Sequence, residues 1–298
     1  MRTVEGVKIY TPMQVSGIRG TVLDNYTHLV QRILDDSPKR NRVVMITYMP
    51  YQVNTISALR GDFFHIYDCV DDHSDLEYAF WGTKSDIIWE QHLMDTADAI
   101  TTTATSLFLQ RTAIEKRKNV HLVRNGVNGG DFSTIPKDVP EDLKGIPGPR
   151  IVYVGAIYDW FDKELFYDVV TSNPDKSFVV IGFGNEKILD RKADNLYLLG
   201  AKKHSELQNY LRHCQIGIVP FRDDTDLIVN CDPIKLYEYI ACGVPVITTF
   251  MPEAAIDKSY TFLANTKDSF NDAIFSCLNE KMDQELIDHF VVENSWNV

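Results

Sequence analysis

Between Pro220 and Thr249 the chain reads PFRDDTDLIVNCDPIKLYEYIACGVPVITT, and this stretch limits the fold more than any other. The apolar run QIGIVPF leads into it and VPVITT closes it; both have the length and β-branched content of buried strands. The residues between them carry the marks of a short helix. Asp232 suits its N-cap, because a carboxylate can accept the orphan backbone N–H groups there. Pro233 then falls at the first helical position, where a missing N–H costs nothing. Gly243 suits the left-handed closing position. A strand, a loop, a helix N-terminus and a second strand make half of a nucleotide site, since the exposed N–H groups and the helix dipole favour an anion. Lys235 in the first turn adds a full positive charge. Glu238 lies three residues on, hence on the same face, where a carboxylate can accept hydrogen bonds from ribose hydroxyls.

The rest of the chain repeats the same rhythm, and alternation of short apolar runs with helical patterns predicts parallel α/β sheets. In the first half, strands are expected at Val43 to Thr47, Phe63 to Val70, Ala99 to Thr101 and Val120 to Val123, with helices over Asp86 to Ala97 and Ser106 to Glu115. The segment Ile135 to Pro149 interrupts them with four prolines and two glycines in fifteen residues. Proline locks φ and disfavours helix in the residue before it, so this segment is read as a linker. It separates a first domain, 1–134, from a second, 150–298. The rhythm restarts at once with RIVYVG, SFVVIG, LYLLG, QIGIVP and PVIT.

Composition excludes several classes. No apolar run approaches the ~18 residues of a membrane span, and the N-terminal stretch has no signal-peptide core. Cys69, Cys214, Cys231, Cys242 and Cys277 are scattered, without C-x-x-C spacing, which fits a reducing, cytoplasmic setting and gives no metal or disulfide framework. A net charge of −12 over 298 residues argues against nucleic-acid binding. Residues 1–42 depart from it, with seven Lys/Arg against four Asp/Glu, or +3. That excess suits an anionic lipid surface or an ordinary solvated one.

The pattern P-x-K-L-Y-E-Y-x-A-C-G-x-P-V-I-T (Pro233 to Thr248) resembles the nucleotide-sugar signature of bacterial group 1 glycosyltransferases with the GT-B fold. The likeness is strongest to those of cell-surface polysaccharide synthesis, of the teichuronic-acid and xanthan glucuronosyltransferase types. The resemblance implies two Rossmann-like domains facing a cleft. It also implies a nucleotide-diphosphate sugar donor, UDP-linked above all, and a glycan or lipid-linked glycan acceptor. No metal cofactor is expected, and peripheral contact with the inner face of the membrane is. On the donor side it points to Gly155, Lys163, Gly182, Gly184, Gly200, Ala201, Phe221, Pro233, Lys235, Leu236 and Glu238. The retaining members carry two glutamates eight residues apart. Glu238 occupies the second position, while Asn230 stands at the first. The arginine that pairs with the diphosphate in the wider family has no counterpart near Ala156. Measured against the family, the first domain is expected to be incomplete, because the chain enters at VEGVKIYTP as if at a later strand. It stops at ENSWNV, where a final helix usually crosses back.

The second constellation is YDCVDDHSD, Tyr67 to Asp75. An apolar strand runs out into Asp71, Asp72 and His73, on the domain opposite the donor helix. A glycosyl acceptor hydroxyl needs a base. Asp71 is the first choice, Asp72 the second, and His73 is a base or sugar contact. The alternative is a helix cap with acidic first-turn residues. The D-x-D of Arg222 to Asp226 invites a divalent-metal reading but reads better as a loop over the donor. IGFGNEK (Ile181 to Lys187) lacks the third glycine of a dinucleotide fingerprint and is read as a turn beside the site. Arg124 to Phe132, RNGVNGGDF, carries an Asn-Gly turn signal and is given a structural role. Two other functions share these features: a UDP-sugar 2-epimerase-like isomerase, and a non-catalytic nucleotide-sugar-binding fragment.

Overall fold

The computed structural model describes residues 2–4, 7–9, 21–37, 43–73, 84–128, 138–184, 189–256 and 260–296. Within them the chain forms three sheets. Strands β1 (Arg2–Val4) and β2 (Val7–Ile9) make an antiparallel pair of their own. The entry read from the sequence as one later strand of the first domain is thus two short strands paired with each other. The two runs are separated by only two residues, and a connection that short can return the chain only antiparallel.

The first parallel sheet has four strands in chain order: β3 (Val44–Thr47), β4 (Phe64–Cys69), β5 (Ala99–Thr102) and β6 (Val120–Leu122). Helices Lys84–Thr96 and Thr105–Leu109, the latter continued by a π turn to Ile114, fill the crossovers near the expected positions. Its core holds Tyr67, Cys69, Leu93, Ile100 and Leu107, all fully buried. Among the described residues strand β3 lies at the edge, and Val44 and Ile46 are about half exposed.

The second sheet has six parallel strands: β7 (Arg150–Val154), β8 (Ser177–Ile181), β9 (Leu196–Leu198), β10 (Ile216–Val219), β11 (Val246–Thr248) and β12 (Thr261–Leu263). Their spatial order is β12-β11-β10-β7-β8-β9, the doubly wound Rossmann order. Strands β8 and β10 are buried at every position, as continuous apolar runs between two helical layers must be. The order reverses between β7 and β10, and a ligand crevice is expected outside the carboxyl ends of those two strands.

One contact locks the helix Ile234–Ala241 onto this sheet. Tyr239 is fully buried, and its hydroxyl accepts the Val154 N–H at 2.7 Å. A side chain on Gly217 would come within 2.5 Å of the Tyr239 ring, so glycine at that point of β10 is what lets the ring reach β7.

The linker is not a free tether. Residues 135–137 lie outside the described residues, and beyond them Leu143 and Ile146 are buried in the second domain's core. Val127 belongs to that core too, bridging in parallel to Ser295. Val127 N–H donates to Asn294 C=O at 2.8 Å, and Trp296 N–H donates to Val127 C=O at 3.1 Å. The chain that follows helix Gln284–Glu293 thus meets the segment leaving the first domain. No helix among the described residues is long and apolar enough to cross a membrane.

Candidate active site

A cavity of about 390 Å³ opens at the switch point. Its walls come from both domains. Val70, Asp71 and Asn125 face Ala156, Trp160 and Phe221 after β7 and β10, with Leu227 to Ile228 and Cys231 to Lys235 closing it.

Lys235 is the central cation. Its Nζ lies 3.4 Å from the Tyr153 hydroxyl and stands over the rings of Tyr153 (4.7 Å) and Phe221 (4.6 Å). No carboxylate lies within ion-pair distance of it among the described residues. Burial lowers its pKa from 10.5 to about 8, against smaller opposing effects of Cys231 and Glu238. A desolvated cation without a counter-ion, at a helix N-terminus, is a place an anionic ligand would complete.

Backbone glycines make room for it. Gly155 has φ 145°, and a Cβ there would sit 2.7 Å from Lys235 Nζ. A Cβ on Gly182 would fall 1.8 Å from the Gly155 carbonyl oxygen. The ends of β7 and β8 therefore approach each other more closely than any other residue pair permits.

The remaining donor-side expectations divide. Phe221 and Pro233 line the cavity with Lys235. Leu236 does not: it faces a second cavity of about 340 Å³, beside Arg124, Tyr237, Glu253 and Phe290. One helical residue turns the side chain by about 100°, which takes Leu236 off the face of Lys235. Lys163 begins the helix Lys163–Ser172, whose cap is Asp162 accepting the Leu165 N–H at 2.9 Å, and it is not part of the cavity wall. Gly184 and Gly200 sit at turns with φ 83° and 68°. Ala201 is exposed after β9, and residues 185–188 lie outside the described residues. Glu238 is buried, and His204 Nε2 lies 2.5 Å from its Oε1. His204, the first residue of helix His204–Leu211, had no distinguishing signal in the sequence.

The helix start differs from its sequence reading. Pro233 occupies the N-cap, and Asp232 does not cap. The Asp232 carboxylate instead accepts Asn125 N–H at 2.9 Å and the Tyr237 hydroxyl at 3.0 Å. Burial raises its pKa, with those hydrogen bonds opposing. Gly243 has φ 73° just after the helix, the conformation read from the sequence.

On the facing wall, Asp71, Asp72 and His73 follow β4 in a bend, and residues 74–83 lie outside the described residues. Asp71 lines the cavity, and burial raises its pKa while His73 pulls it down. Asp72 is 2% exposed and accepts a hydrogen bond from Asn230 Nδ2 at 2.7 Å. His73 is equally buried, and its Nε2 has no hydrogen-bond partner among the described residues. Only Asp71 of the three thus faces the cavity. Beneath them Tyr67 donates to Glu90 at 2.8 Å, and Arg111 stands 3.7 Å from the same carboxylate.

Two of the three aspartates around the D-x-D have partners of their own. Asp224 pairs with Arg222 at 2.8 Å, and Asp223 accepts from Asn265. Thr225 caps the helix Asp226–Val229. Among the described residues no group of three or more His, Cys, Asp or Glu side chains is placed to hold a metal ion.

This architecture, two parallel-stranded domains around a cleft, is the GT-B fold. Sucrose-phosphate synthase from Thermosynechococcus elongatus superposes with a TM-score of 0.67 over 93% of this chain and 76% of its own, at 13% identity. Anabaena HepE, solved with UDP and glucose, gives 0.63 over 96% and 79%, at 12% identity. Residues 148–280, most of the second domain, match the family model Glycosyl transferases group 1. Bacillus subtilis TuaH, assigned a glycosyltransferase role in teichuronic acid biosynthesis, is 27% identical over 236 residues. That match covers 71% of this chain and 57% of TuaH, so the chain spans little more than half of that relative.

Proposed function

We propose that this chain transfers a sugar from a nucleoside-diphosphate donor of the UDP class to a surface-polysaccharide or lipid-linked glycan acceptor. The observation that carries the reading is Lys235: a desolvated ammonium at a helix N-terminus with no carboxylate in ion-pair reach among the described residues, in the crevice where the sheet order reverses, with Asp71 on the opposite wall. As the glycosidic bond breaks, charge grows on the departing diphosphate. Lys235 and the first helical N–H groups then bind it more strongly than in the ground state. This supply of positive charge needs no metal ion. Glu238 takes the ribose hydroxyls, exchanging its contact with His204, and the turn after β9 takes the base. Asp71 removes the acceptor proton; its raised pKa keeps it a stronger base than an exposed aspartate. A base on the face opposite the leaving group implies inversion at the anomeric carbon. The UDP held by HepE and the biosynthetic role of TuaH support the donor and acceptor classes. A lipid-linked acceptor places the protein at the inner face of the membrane.

The test is product analysis with a panel of UDP-, GDP- and TDP-sugars and lipid-linked glycan acceptors, with and without EDTA. The reading expects acceptor-dependent release of nucleoside diphosphate, insensitive to EDTA. An epimerised UDP-sugar with no free UDP establishes the isomerase reading instead. Nucleotide binding without turnover of any donor leaves a binding module.

A further inference from the structure

The segment leading into helix Ile234–Ala241 is tied to the opposite domain at three consecutive points. Ser106 Oγ donates to the Val229 carbonyl at 2.9 Å. Asn230 Nδ2 donates to Asp72 Oδ2 at 2.7 Å. Asn125 donates its backbone N–H to Asp232 Oδ2 at 2.9 Å and its carboxamide to the Asp232 carbonyl at 2.6 Å. The middle tie is the most buried, with Asn230 8% and Asp72 2% exposed. It is also the one whose residue on the donor side departs from the paired-glutamate pattern of the resembled family. A glutamate at 230 would set a second carboxylate against Asp72, and two buried carboxylates at hydrogen-bond distance cannot both stay ionised. An amide can donate there. The unusual residue at 230 thus has its physical partner at 72, in the other domain.

We propose that Asn230 is a positioning residue. Acting through Asp72, it holds the 71–73 bend so that Asp71 faces the cavity opposite Lys235. Asn230 itself is not part of the cavity wall, so its effect passes through the bend. The turnover arm of the test rests on the transferase reading; the exchange arm does not.

The test is a reciprocal swap. Four variants are made: Asn230→Asp, Asn230→Ala, Asp72→Asn and the double Asp72→Asn/Asn230→Asp. Amide hydrogen exchange of the peptide spanning Val70 to His73 is measured in the ligand-free protein, beside UDP affinity and turnover. A hydrogen bond to a charged group is worth about 10- to 150-fold in an equilibrium. Exchange in Asn230→Asp and Asn230→Ala is therefore expected to quicken at least about tenfold. Turnover falls by a similar factor while UDP affinity stays within about twofold. Asp72→Asn is milder, because the amide at 230 can still donate to an amide oxygen. The double variant recovers both exchange and turnover, since the donor and acceptor have only changed sides.

Unchanged exchange in both Asn230 variants overturns the proposal, as does a swap no better than Asn230→Asp alone. Faster exchange with undiminished turnover overturns the positioning role. If the unaltered protein turns over no sugar nucleotide, that counts against the transferase reading, and exchange with its reciprocal rescue still decides whether Asn230 holds the bend. Asn230→Ala keeps the test readable if two facing carboxylates prevent Asn230→Asp from folding.

Discussion

Replacing Lys235 by methionine should stabilise the ligand-free protein while removing its capacity to bind a diphosphate. The side chains are of similar length, so the apolar contacts with Tyr153 and Phe221 persist. What changes is the charge. A displacement from 10.5 to about 8, at about 1.4 kcal/mol per tenfold change in protonation, corresponds to a native-state penalty of about 3 kcal/mol. The two ring contacts at 4.7 and 4.6 Å offset about 1 kcal/mol of it. Lys235→Met should therefore gain about 2 kcal/mol at pH 7. The pH dependence fixes the cause. The penalty is complete below the folded pKa of about 8 and disappears above the unfolded value of 10.5, because in that window the unfolded chain binds more protons than the native one. The stability difference between variant and parent should thus shrink as pH rises from about 8 towards 10.5. Urea titrations across that range measure it, and calorimetry at pH 7 measures UDP binding. Turnover should fall by roughly 10²–10³, as for loss of one preorganised electrostatic contact. A variant less stable than the parent at pH 7, with UDP affinity retained, would refute the reasoning.

Three further outcomes follow from the same geometry. Asp71→Asn should cut turnover by about 10²–10⁴ with UDP affinity and melting temperature nearly unchanged. Because Asp71 must be ionised to act and burial raises its pKa, the parent's rate should rise with pH through a value above the ordinary aspartate range; a product of retained anomeric configuration rules out the base role. Glu238→Ala should weaken UDP more than inorganic pyrophosphate, and equal losses for both ligands would show that Glu238 does not read the nucleoside. Gly182→Ala must push β8 away from the Gly155 carbonyl, so about 1–3 kcal/mol of stability and UDP binding should be lost together; a folded variant with normal UDP affinity would mean the strand ends are not part of the site.

The local parts of this molecule were legible in the sequence. IGIV reads as a buried strand because no polar residue interrupts it, and it is buried throughout, as SFVVI is. The helix at 234–241 was legible because a proline and a glycine mark its ends. Lys235 was legible as a first-turn cation. The non-local parts were not. Nothing near Tyr239 says that its hydroxyl reaches Val154, because the space for its ring is made by Gly217 in another strand. Asp232 reads as a cap from its neighbours alone; its carboxylate goes instead to Asn125, 107 residues away. Asn230 and Asp72 are 158 residues apart, and nothing in the local sequence of either points to the other. The sheet order β12-β11-β10-β7-β8-β9 is set by packing of whole βα units, which periodicity does not encode.

The central claim is that the diphosphate of a UDP-sugar lies at the N-terminus of helix Ile234–Ala241 against Lys235. A crystal structure of the UDP complex tests it most directly. The account predicts a β-phosphate oxygen about 2.7–2.9 Å from Lys235 Nζ, ribose hydroxyls on Glu238, and uracil at the turn formed by Gly200 to Lys202. UDP bound in the cavity lined by Arg124, Glu253 and Glu293, or bound at the switch point with its phosphates turned away from Lys235, would contradict it.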